Sequence, residues 1–360
     1  MSGGWRQGDA AGRRRWVSLP RLVLESGDQL PDPVIAYETW GTPNADKSNA
    51  VLVLHALTGD SHAAGPDEPG HASPAWWDGV IGPGKAVDTN HWFVVAPNVL
   101  GGCQGTTGPS SVAADGKPWG SRFPAITVRD QVNAEAVFTD ALGITQWAAV
   151  LGGSMGGMRA LEWAATHPGR VRNLLLLACP AAASADQIAW AAPQLAAIRA
   201  DAEFRDGDYY SGPGPTTGLG IARRIAHITY RSENELGTRF GRNPQGDGRF
   251  AVESYLDHQA AKLIRRFDAN SYLVLTEAMN GHDVGRGRGG VRQALSQVRA
   301  RTIVAGIDSD RLYPLYQQAE LAEHIPGAGD LRVVTSPYGH DAFLIETEQI
   351  APLIKELLGG

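Results

Sequence analysis

The sequence has few cysteines, no long apolar run and no excess of positive charge, and each shortage removes a class of protein. The two cysteines, Cys103 and Cys179, stand far apart without C-x-x-C spacing, so we expect a reduced compartment and no disulfide framework. No stretch approaches about 18 consecutive apolar residues, so we expect no membrane span. The net charge of -6 provides no electrostatic footprint for nucleic acid. These shortages favour a cytoplasmic protein that contacts neither membranes nor nucleic acid.

Signals for metal binding and for secretion are also missing. The ten histidines form no H-E-x-x-H or other paired-ligand spacing, so we expect no metal site. Residues 1–15 are polar and lack the apolar segment of a secretory signal. What the chain does have is length and apolar content. Its 360 residues, 43% of them hydrophobic, suffice for one large domain or for a domain with a sizeable insertion.

Short apolar runs recur along the chain, and helical patterns lie between them. Seven runs are interpreted as strands, at residues 34–40, 51–54, 92–96, 148–151, 173–178, 302–305 and 331–335. Most are continuously apolar rather than alternating, which is typical of a parallel sheet with both faces covered by helices. We therefore predict an α/β fold with a mostly parallel, doubly wound sheet.

The alternation stops between residues 183 and 299. Helical patterns dominate there, at residues 186–200, 220–230, 259–267 and 271–278, separated by connections rich in proline and glycine. Because the sheet pattern resumes afterwards, we interpret 183–299 as a mainly helical lid inserted into a core of residues 1–182 and 300–360. A separate helical domain is the alternative. A lid would exclude water from a site on the sheet and shape its pocket.

The most informative motif is G-x-S-x-G at residues 152–156, centred on Ser154. An apolar strand precedes it and a helical run at 158–166 follows, which is the strand–turn–helix context of the nucleophile elbow in α/β hydrolases. The sharp turn leaves no room for a Cβ beside it, which explains the glycines. It also places the serine at a helix N-terminus, where backbone N–H groups are free. Ser154 is therefore the candidate nucleophile, and a plain Gly-Ser turn is the alternative.

A serine nucleophile needs a base and an acidic group that orients the base, in the chain order Ser, Asp or Glu, His. His340 follows the last predicted strand, and both Asp308 and Asp310 follow the strand before it, at the sheet edge where α/β proteins place their sites. Order alone does not separate the two aspartates. His324 competes weakly with His340, but it lies in a helical run.

An oxyanion hole in this fold uses the N–H of the residue after the nucleophile, here Met155, and an N–H from the loop after an early strand. That loop begins at residue 55, and Leu57 is the expected second donor through its backbone. Cys103 is not expected to act as a nucleophile, since nothing basic flanks it to lower its pKa.

These motifs belong to longer stretches by which the chain closely resembles the homoserine O-acetyltransferases, acyltransferases of the α/β-hydrolase superfamily that begin methionine synthesis. The matching stretches are residues 55–59, 76–79, 81–84, 98–109, 152–157, 226–231, 309–314 and 339–341, and the resemblance runs from about 22 to 357. It implies ping-pong transfer of acetyl from acetyl-CoA to the γ-hydroxyl of L-homoserine, with no permanently bound cofactor and a homodimeric assembly. It also implies the triad Ser154, Asp310 and His340, because Asp310 matches the acid of the family motif S-D-x-L-[FY]-P.

The resemblance further points to Arg223 and Asp341 as homoserine-binding residues, with Tyr230 nearby. An arginine can hold the carboxylate of homoserine through a bidentate pair of hydrogen bonds, and an aspartate can accept hydrogen bonds from its ammonium group. A structural ion pair is the alternative for Arg223, and adjacent Arg224 is its rival. A helix cap is the alternative for Asp341.

One position bears on the acyl donor. Family members that use succinyl-CoA tend to carry arginine where this chain has Leu312, so the resemblance implies a preference for acetyl-CoA. A serine acceptor, a succinyl donor and an ordinary α/β-hydrolase esterase remain as alternatives. The glycine- and arginine-rich tract at 285–290 is interpreted as a structured turn, with contact to the phosphates of coenzyme A as a further hypothesis.

Overall fold

A central sheet organises the structure, a computed structural model that describes residues 3–359. In chain order the strands are β1 Arg15–Ser18, β2 Leu22–Val23, β3 Gln29–Leu30, β4 Val34–Trp40, β5 Ala50–Leu54, β6 Ile81–Gly82, β7 Val87–Asp88, β8 Phe93–Pro97, β9 Ala149–Gly153, β10 Asn173–Leu177, β11 Arg301–Ile307 and β12 Arg332–Val334. The α-helices are α1 Val128–Ala141, α2 Met155–Thr166, α3 Ala185–Arg199, α4 Thr216–Tyr230, α5 Glu233–Phe240, α6 Ala251–Ile264, α7 Ala269–Asn280, α8 Val291–Ser296, α9 Leu315–His324, α10 Ala342–Ile345 and α11 Thr347–Leu358.

The main sheet has the order β1-β4-β8-β5-β9-β10-β11-β12. Every neighbouring pair from β8 to β12 is parallel, whereas β4 is antiparallel to both β1 and β8. The prediction of a mostly parallel sheet is thus confirmed. The chain runs outward from β5 to β8 and then returns to place β9 on the other side of β5. This switch point opens a crevice at the carboxyl ends of β5 and β9, where such sheets bind their ligands.

Each central strand is buried on both faces, as its continuous apolar sequence predicts. Alternate residues of β5 enter two different apolar clusters: Leu52 and Leu54 join one, and Val51 and Val53 join the other. Since successive side chains of a strand point to opposite faces, the sheet has a packed core on each side. These two cores hold the strand ends in place beneath the crevice.

The stretch between β10 and β11 contains helices α3 to α8, with α4 packed against α3 and α6. Helix α6 starts earlier than its predicted counterpart at 259–267, because the Glu253 carboxylate accepts the backbone N–H of Phe250 and fixes the first turn there. Helix α5, which the sequence pattern does not predict, is a short element capped by Ser232. Within residues 3–359, no helix has both the length and the apolar character needed to cross a membrane.

Candidate active site

Ser154 occupies the sharp turn between β9 and α2. Its φ of 56° and ψ of -125° place a non-glycine residue in a region that ordinarily favours glycine, a strain typical of functional positions. A Cβ at Gly152 would lie 2.1 Å from the carbonyl oxygen of Gly156, and a Cβ at Gly156 would lie 2.0 Å from that of Leu54. The predicted steric need for both glycines is confirmed. Helix α2 begins at Met155, so the N–H of Met155 has no partner within the helix.

The three residues of the expected triad lie in one hydrogen-bonded series. Nε2 of His340 is 2.8 Å from Oγ of Ser154, and Nδ1 of His340 is 2.6 Å from Oδ2 of Asp310. The other carboxylate oxygen of Asp310 accepts the backbone N–H groups of Leu312 and Tyr313, at 2.8 and 2.9 Å. All three triad side chains are buried. This geometry suits proton transfer from the serine to an imidazole that a fixed carboxylate orients.

The rivals in the sequence lie elsewhere. Asp308 accepts the backbone N–H of Ser336 at 3.0 Å, a contact that shapes its loop. His324 ends helix α9, and its nearest carboxylate oxygen is that of Glu323, 3.9 Å away. Cys103 is buried, and burial raises the pKa of its thiol, which keeps it protonated. None of these rivals forms the acid–base–nucleophile series described for Ser154.

Three aromatic rings surround the imidazole of His340. The ring centroids of Tyr313, Phe343 and Tyr230 lie 5.0, 5.3 and 5.9 Å from that of the imidazole. Tyr313 and Phe343 are buried, so they limit both the rotation of the imidazole and its access to water. Sequence reasoning did not find Tyr313 or Phe343, although both stand within three residues of a triad member.

Hydrogen bonds fix the loop that carries Leu57. The carbonyl oxygen of Ala56 accepts Nδ1–H of His55 at 2.8 Å and the backbone N–H of Gly59 at 2.9 Å. The C=O and N–H of a trans peptide point in opposite directions, so these contacts also fix the direction of the Leu57 N–H. Nε2 of His55 accepts the N–H of Val99, and burial lowers the pKa of His55 to about 3, which keeps the ring neutral. Sequence reasoning gave His55 no role of its own, although His55 is the first residue of this loop and of a matching stretch.

A cavity of about 240 Å³ adjoins the nucleophile and is lined by Ser154, His340, Arg223, Tyr230 and Asp341, among others. The structure thus brings the three expected homoserine-binding residues to the serine. The guanidinium of Arg223 lies 5.5 Å from the centre of the Tyr230 ring, a cation–π contact. The cavity is large enough for a small amino acid beside an acyl group.

Arg223 and Asp341, the two charged residues expected to bind homoserine, differ in how their polar atoms are satisfied. Nε of Arg223 is buried and has no hydrogen-bond partner among the described residues, and Nη1 makes only a long contact of 3.4 Å with Thr58 Oγ1. Asp341 lies 3.3 Å from Arg231, but burial outweighs this cation and raises the pKa of Asp341. Arg224, the rival of Arg223, pairs instead with Asp257, and both of those side chains are more than a third exposed.

Leu312 does not line the cavity that contains Ser154. It lines a smaller one of about 50 Å³, and Leu57 and Tyr230 line both cavities. The backbone N–H of Leu312 donates to the Asp310 carboxylate, so the backbone of Leu312 lies next to the triad acid. The role of Leu312 in the choice of acyl donor stays a prediction.

The tract at 285–290 is a structured turn, as expected. Arg286 pairs with Glu25 at 2.7 Å, while Arg288 pairs with Glu162 and donates to Thr166 Oγ1 at 2.7 Å. Thr166 ends helix α2, whose rise of about 1.5 Å per residue puts it roughly 18 Å from the nucleophile end. Both arginines are paired with carboxylates of the protein, which argues against a contact with the phosphates of coenzyme A.

One group of side chains could hold a metal ion by its composition, although its sequence spacing did not reveal it. Glu38, His62 and His71 place one ligand atom each within 4.8 Å of one another. However, the two imidazole rings stack at 3.6 Å with an angle of 13°, so their nitrogen lone pairs do not converge on one point. Glu38 also accepts hydrogen bonds from Ser61 and His62. The arrangement is that of a buried hydrogen-bond network.

Known proteins resemble this chain over nearly its whole length. A family model described as the alpha/beta hydrolase fold matches residues 49–347. The homoserine O-acetyltransferase of Thermobifida fusca is 68% identical, over 99% of this chain and 97% of its own length. Among solved structures, the homoserine O-acetyltransferase of Bacillus anthracis superposes with a TM-score of 0.88 at 27% identity, covering 97% of this chain and 98% of its own. Esterase E22 superposes with a TM-score of 0.89 at 28% identity, covering 96% of this chain and 100% of its own.

Proposed function

The chain belongs to the homoserine O-acetyltransferase family, which has the α/β-hydrolase fold, and we propose that it transfers acetyl from acetyl-CoA to the γ-hydroxyl of L-homoserine in methionine biosynthesis. The observation that carries this proposal is the hydrogen-bonded series Ser154–His340–Asp310 beside a cavity that presents Arg223 and Asp341. The series supplies a nucleophile, and the cavity offers charges complementary to those of an amino acid. The reaction needs no permanently bound cofactor.

The first half-reaction acetylates the enzyme. Nε2 of His340 takes the proton of Ser154 Oγ, which attacks the thioester carbon of acetyl-CoA. The Leu57 and Met155 N–H groups stabilise the resulting oxyanion. The carbon–sulfur bond then breaks, His340 returns its proton to the sulfur of coenzyme A, and an acetyl-serine remains. Asp310 orients the imidazole and stabilises its positive charge throughout.

The second half-reaction repeats these steps with the acceptor. His340 takes the proton of the γ-hydroxyl of homoserine, and that oxygen attacks the acetyl carbon on Ser154. The tetrahedral intermediate uses the same two N–H groups. Its collapse breaks the bond to Ser154 Oγ, which regains a proton from His340, and O-acetylhomoserine leaves. This ping-pong order accounts for one nucleophile serving two substrates.

Arg223 and Asp341 are proposed to hold the acceptor. Replacing Arg223 with methionine should lower kcat/KM for homoserine by about a hundred-fold, because a charge-assisted pair to the carboxylate is lost. Acetylation by acetyl-CoA alone should change little. Arg224→Met is the matched control, since that arginine pairs with Asp257 and does not line the cavity. Steady-state kinetics that assign the loss to Arg224 instead would exclude Arg223 from the acceptor site.

We propose that residues 183–299 act as a lid on a core of residues 1–182 and 300–360. Arg223, Tyr230 and Arg266, all from this segment, line the cavity next to the nucleophile, which supports the proposal. The lid would keep water from the acetyl-serine while homoserine binds.

The likeness to esterase E22 makes hydrolysis the second candidate function. Multiple-turnover release of free coenzyme A thiol only when homoserine is present would support transfer, and equally fast turnover without homoserine would support hydrolysis. L-serine in place of homoserine tests the other acceptor.

Leu312 is proposed to favour acetyl-CoA over succinyl-CoA. A succinyl group ends in a carboxylate, which is costly to bury unless a cation meets it. Neither Leu312 nor the uncharged lining of its cavity provides a cation, whereas Leu312→Arg would. We expect the wild type to prefer acetyl-CoA strongly and the variant to shift toward succinyl-CoA in kcat/KM. Equal values for the two thioesters in the wild type would show that Leu312 does not set the donor.

We also propose a cytoplasmic location and a homodimer. Cys103 and Cys179 are both free and buried, which suits a reducing compartment. Three large apolar side chains on α3 and α4, Ile188, Trp190 and Ile221, are 37–42% exposed, which supports an association surface on the helical segment. Sedimentation analysis of the purified chain would measure the assembly directly.

A further inference from the structure

A series of hydrogen bonds connects a half-buried arginine to the loop of the oxyanion hole. Nη1 of Arg266 donates to the carbonyl oxygen of Thr58 at 2.6 Å. That carbonyl shares a peptide group with the N–H of Gly59, which donates to the carbonyl oxygen of Ala56 at 2.9 Å. The Ala56 carbonyl in turn shares a peptide group with the N–H of Leu57. The series therefore runs from a guanidinium through two peptide groups to the proposed oxyanion donor.

The two peptide groups transmit both direction and polarity. In a planar trans peptide the C=O and the N–H point oppositely, so a donor that fixes one end fixes the other. Each hydrogen bond also polarises the next one along such a series, and a charged donor at the start strengthens the effect. Leu57, whose N–H ends the series, lines the cavity that contains Ser154. A cation at one end thus makes Leu57 a better oriented and stronger donor at the other.

The structure holds Arg266 firmly in this place. Its own carbonyl oxygen accepts Nε2–H of Gln104 at 2.7 Å, and Oε1 of Gln104 accepts a guanidinium N–H of Arg14 at 3.1 Å. Burial, and next the charge of Arg223, lower the pKa of Arg266, so the cation occupies an unfavourable environment. The contacts with Gln104 and Thr58 thus hold both the backbone and the side chain of Arg266.

We propose that Arg266 is a positioning residue that orients and polarises the Leu57 N–H of the oxyanion hole through the Thr58–Gly59 and Ala56–Leu57 peptide groups. The inference rests on the proposed role of Leu57 as oxyanion donor. Because Arg266 lies two residues after the end of helix α6, it also ties the helical segment to the oxyanion loop. A displacement of this segment would therefore weaken the oxyanion hole in both half-reactions.

The test uses Arg266→Met, Arg266→Lys and the control Arg265→Met, whose exposed side chain neighbours Arg266 but does not line the cavity. The probe is 4-nitrophenyl acetate, an ester without a carboxylate, followed in a single turnover without homoserine. We expect Arg266→Met to slow acetylation of Ser154 by about ten- to a hundred-fold, part of what losing an oxyanion donor costs. The amplitude of the nitrophenol burst should not change. Arg266→Lys should recover much of the rate, since an ammonium can still donate to Thr58, and Arg265→Met should match the wild type.

Two results would overturn the inference. A normal acetylation rate in Arg266→Met, with a raised KM for homoserine, would make Arg266 a substrate-binding residue. A reduced burst amplitude with a normal rate per titrated site would make it a residue of fold stability alone. If the wild type itself forms no acetyl-serine, the proposed function fails first, and that failure is visible without any Arg266 variant.

Discussion

The Ser154→Ala protein should fold normally and lose acetyl transfer by at least about 10³-fold, since the covalent route is closed and only binding and the oxyanion hole remain. Alanine can occupy this turn as well as serine does, because both carry a Cβ at the same positive φ. Circular dichroism would check the fold, and the rate of coenzyme A release would check the activity.

Cys103→Ala is the control for Ser154→Ala. Cys103 is a second possible nucleophile by residue type, and it also stands in a glycine-rich loop. However, its thiol is buried, and burial raises its pKa. This variant should keep most of its activity per folded molecule. Near-normal turnover in a folded Ser154→Ala protein would contradict the covalent mechanism.

The second large effect is expected at Asp310. In Asp310→Asn, the amide oxygen can still accept the N–H groups of Leu312 and Tyr313, so the amide nitrogen turns toward His340. The amide then donates to Nδ1, the imidazole proton moves to Nε2, and Nε2 can no longer accept the proton of Ser154. We expect kcat to fall by about 10³- to 10⁴-fold with little loss of stability.

Asp308→Asn is the matched control, two residues away in the same loop. Its asparagine oxygen can still accept the N–H of Ser336, so kcat should stay within a few-fold of the wild type. Parallel measurement of kcat and of melting temperature for both variants separates chemistry from folding. The reverse pattern, a large loss at Asp308 and a small one at Asp310, would show that the triad acid is wrongly assigned.

Features that depend on local sequence could be predicted well. The continuous apolar run at 51–54 indicates a strand buried on both faces, and β5 has this environment. The glycines around Ser154 indicate a tight turn, and their Cβ clearances require one. In both cases the physical constraint acts between residues that are close in sequence, so the local sequence pattern is enough to predict the structure.

Features that depend on distant contacts could not be predicted in the same way. Asp308 and Asp310 have the same type of side chain in the same loop, and only the position of His340 separates them. Arg223 and Arg224 are adjacent, and the direction of each side chain decides which one reaches the cavity. Leu312 lines a cavity next to the one that contains Ser154, a placement that its position two residues after the triad acid does not reveal.

The most direct test of the account is to look for the acetyl-serine itself. The enzyme is mixed with acetyl-CoA without homoserine, digested, and analysed by mass spectrometry, and homoserine is then added to a second sample. We predict an increase of about 42 Da on the peptide that contains Ser154, the mass of an acetyl group replacing a hydrogen, and its transfer to O-acetylhomoserine after the addition. An unmodified Ser154 peptide in an enzyme that still makes O-acetylhomoserine would contradict the ping-pong mechanism.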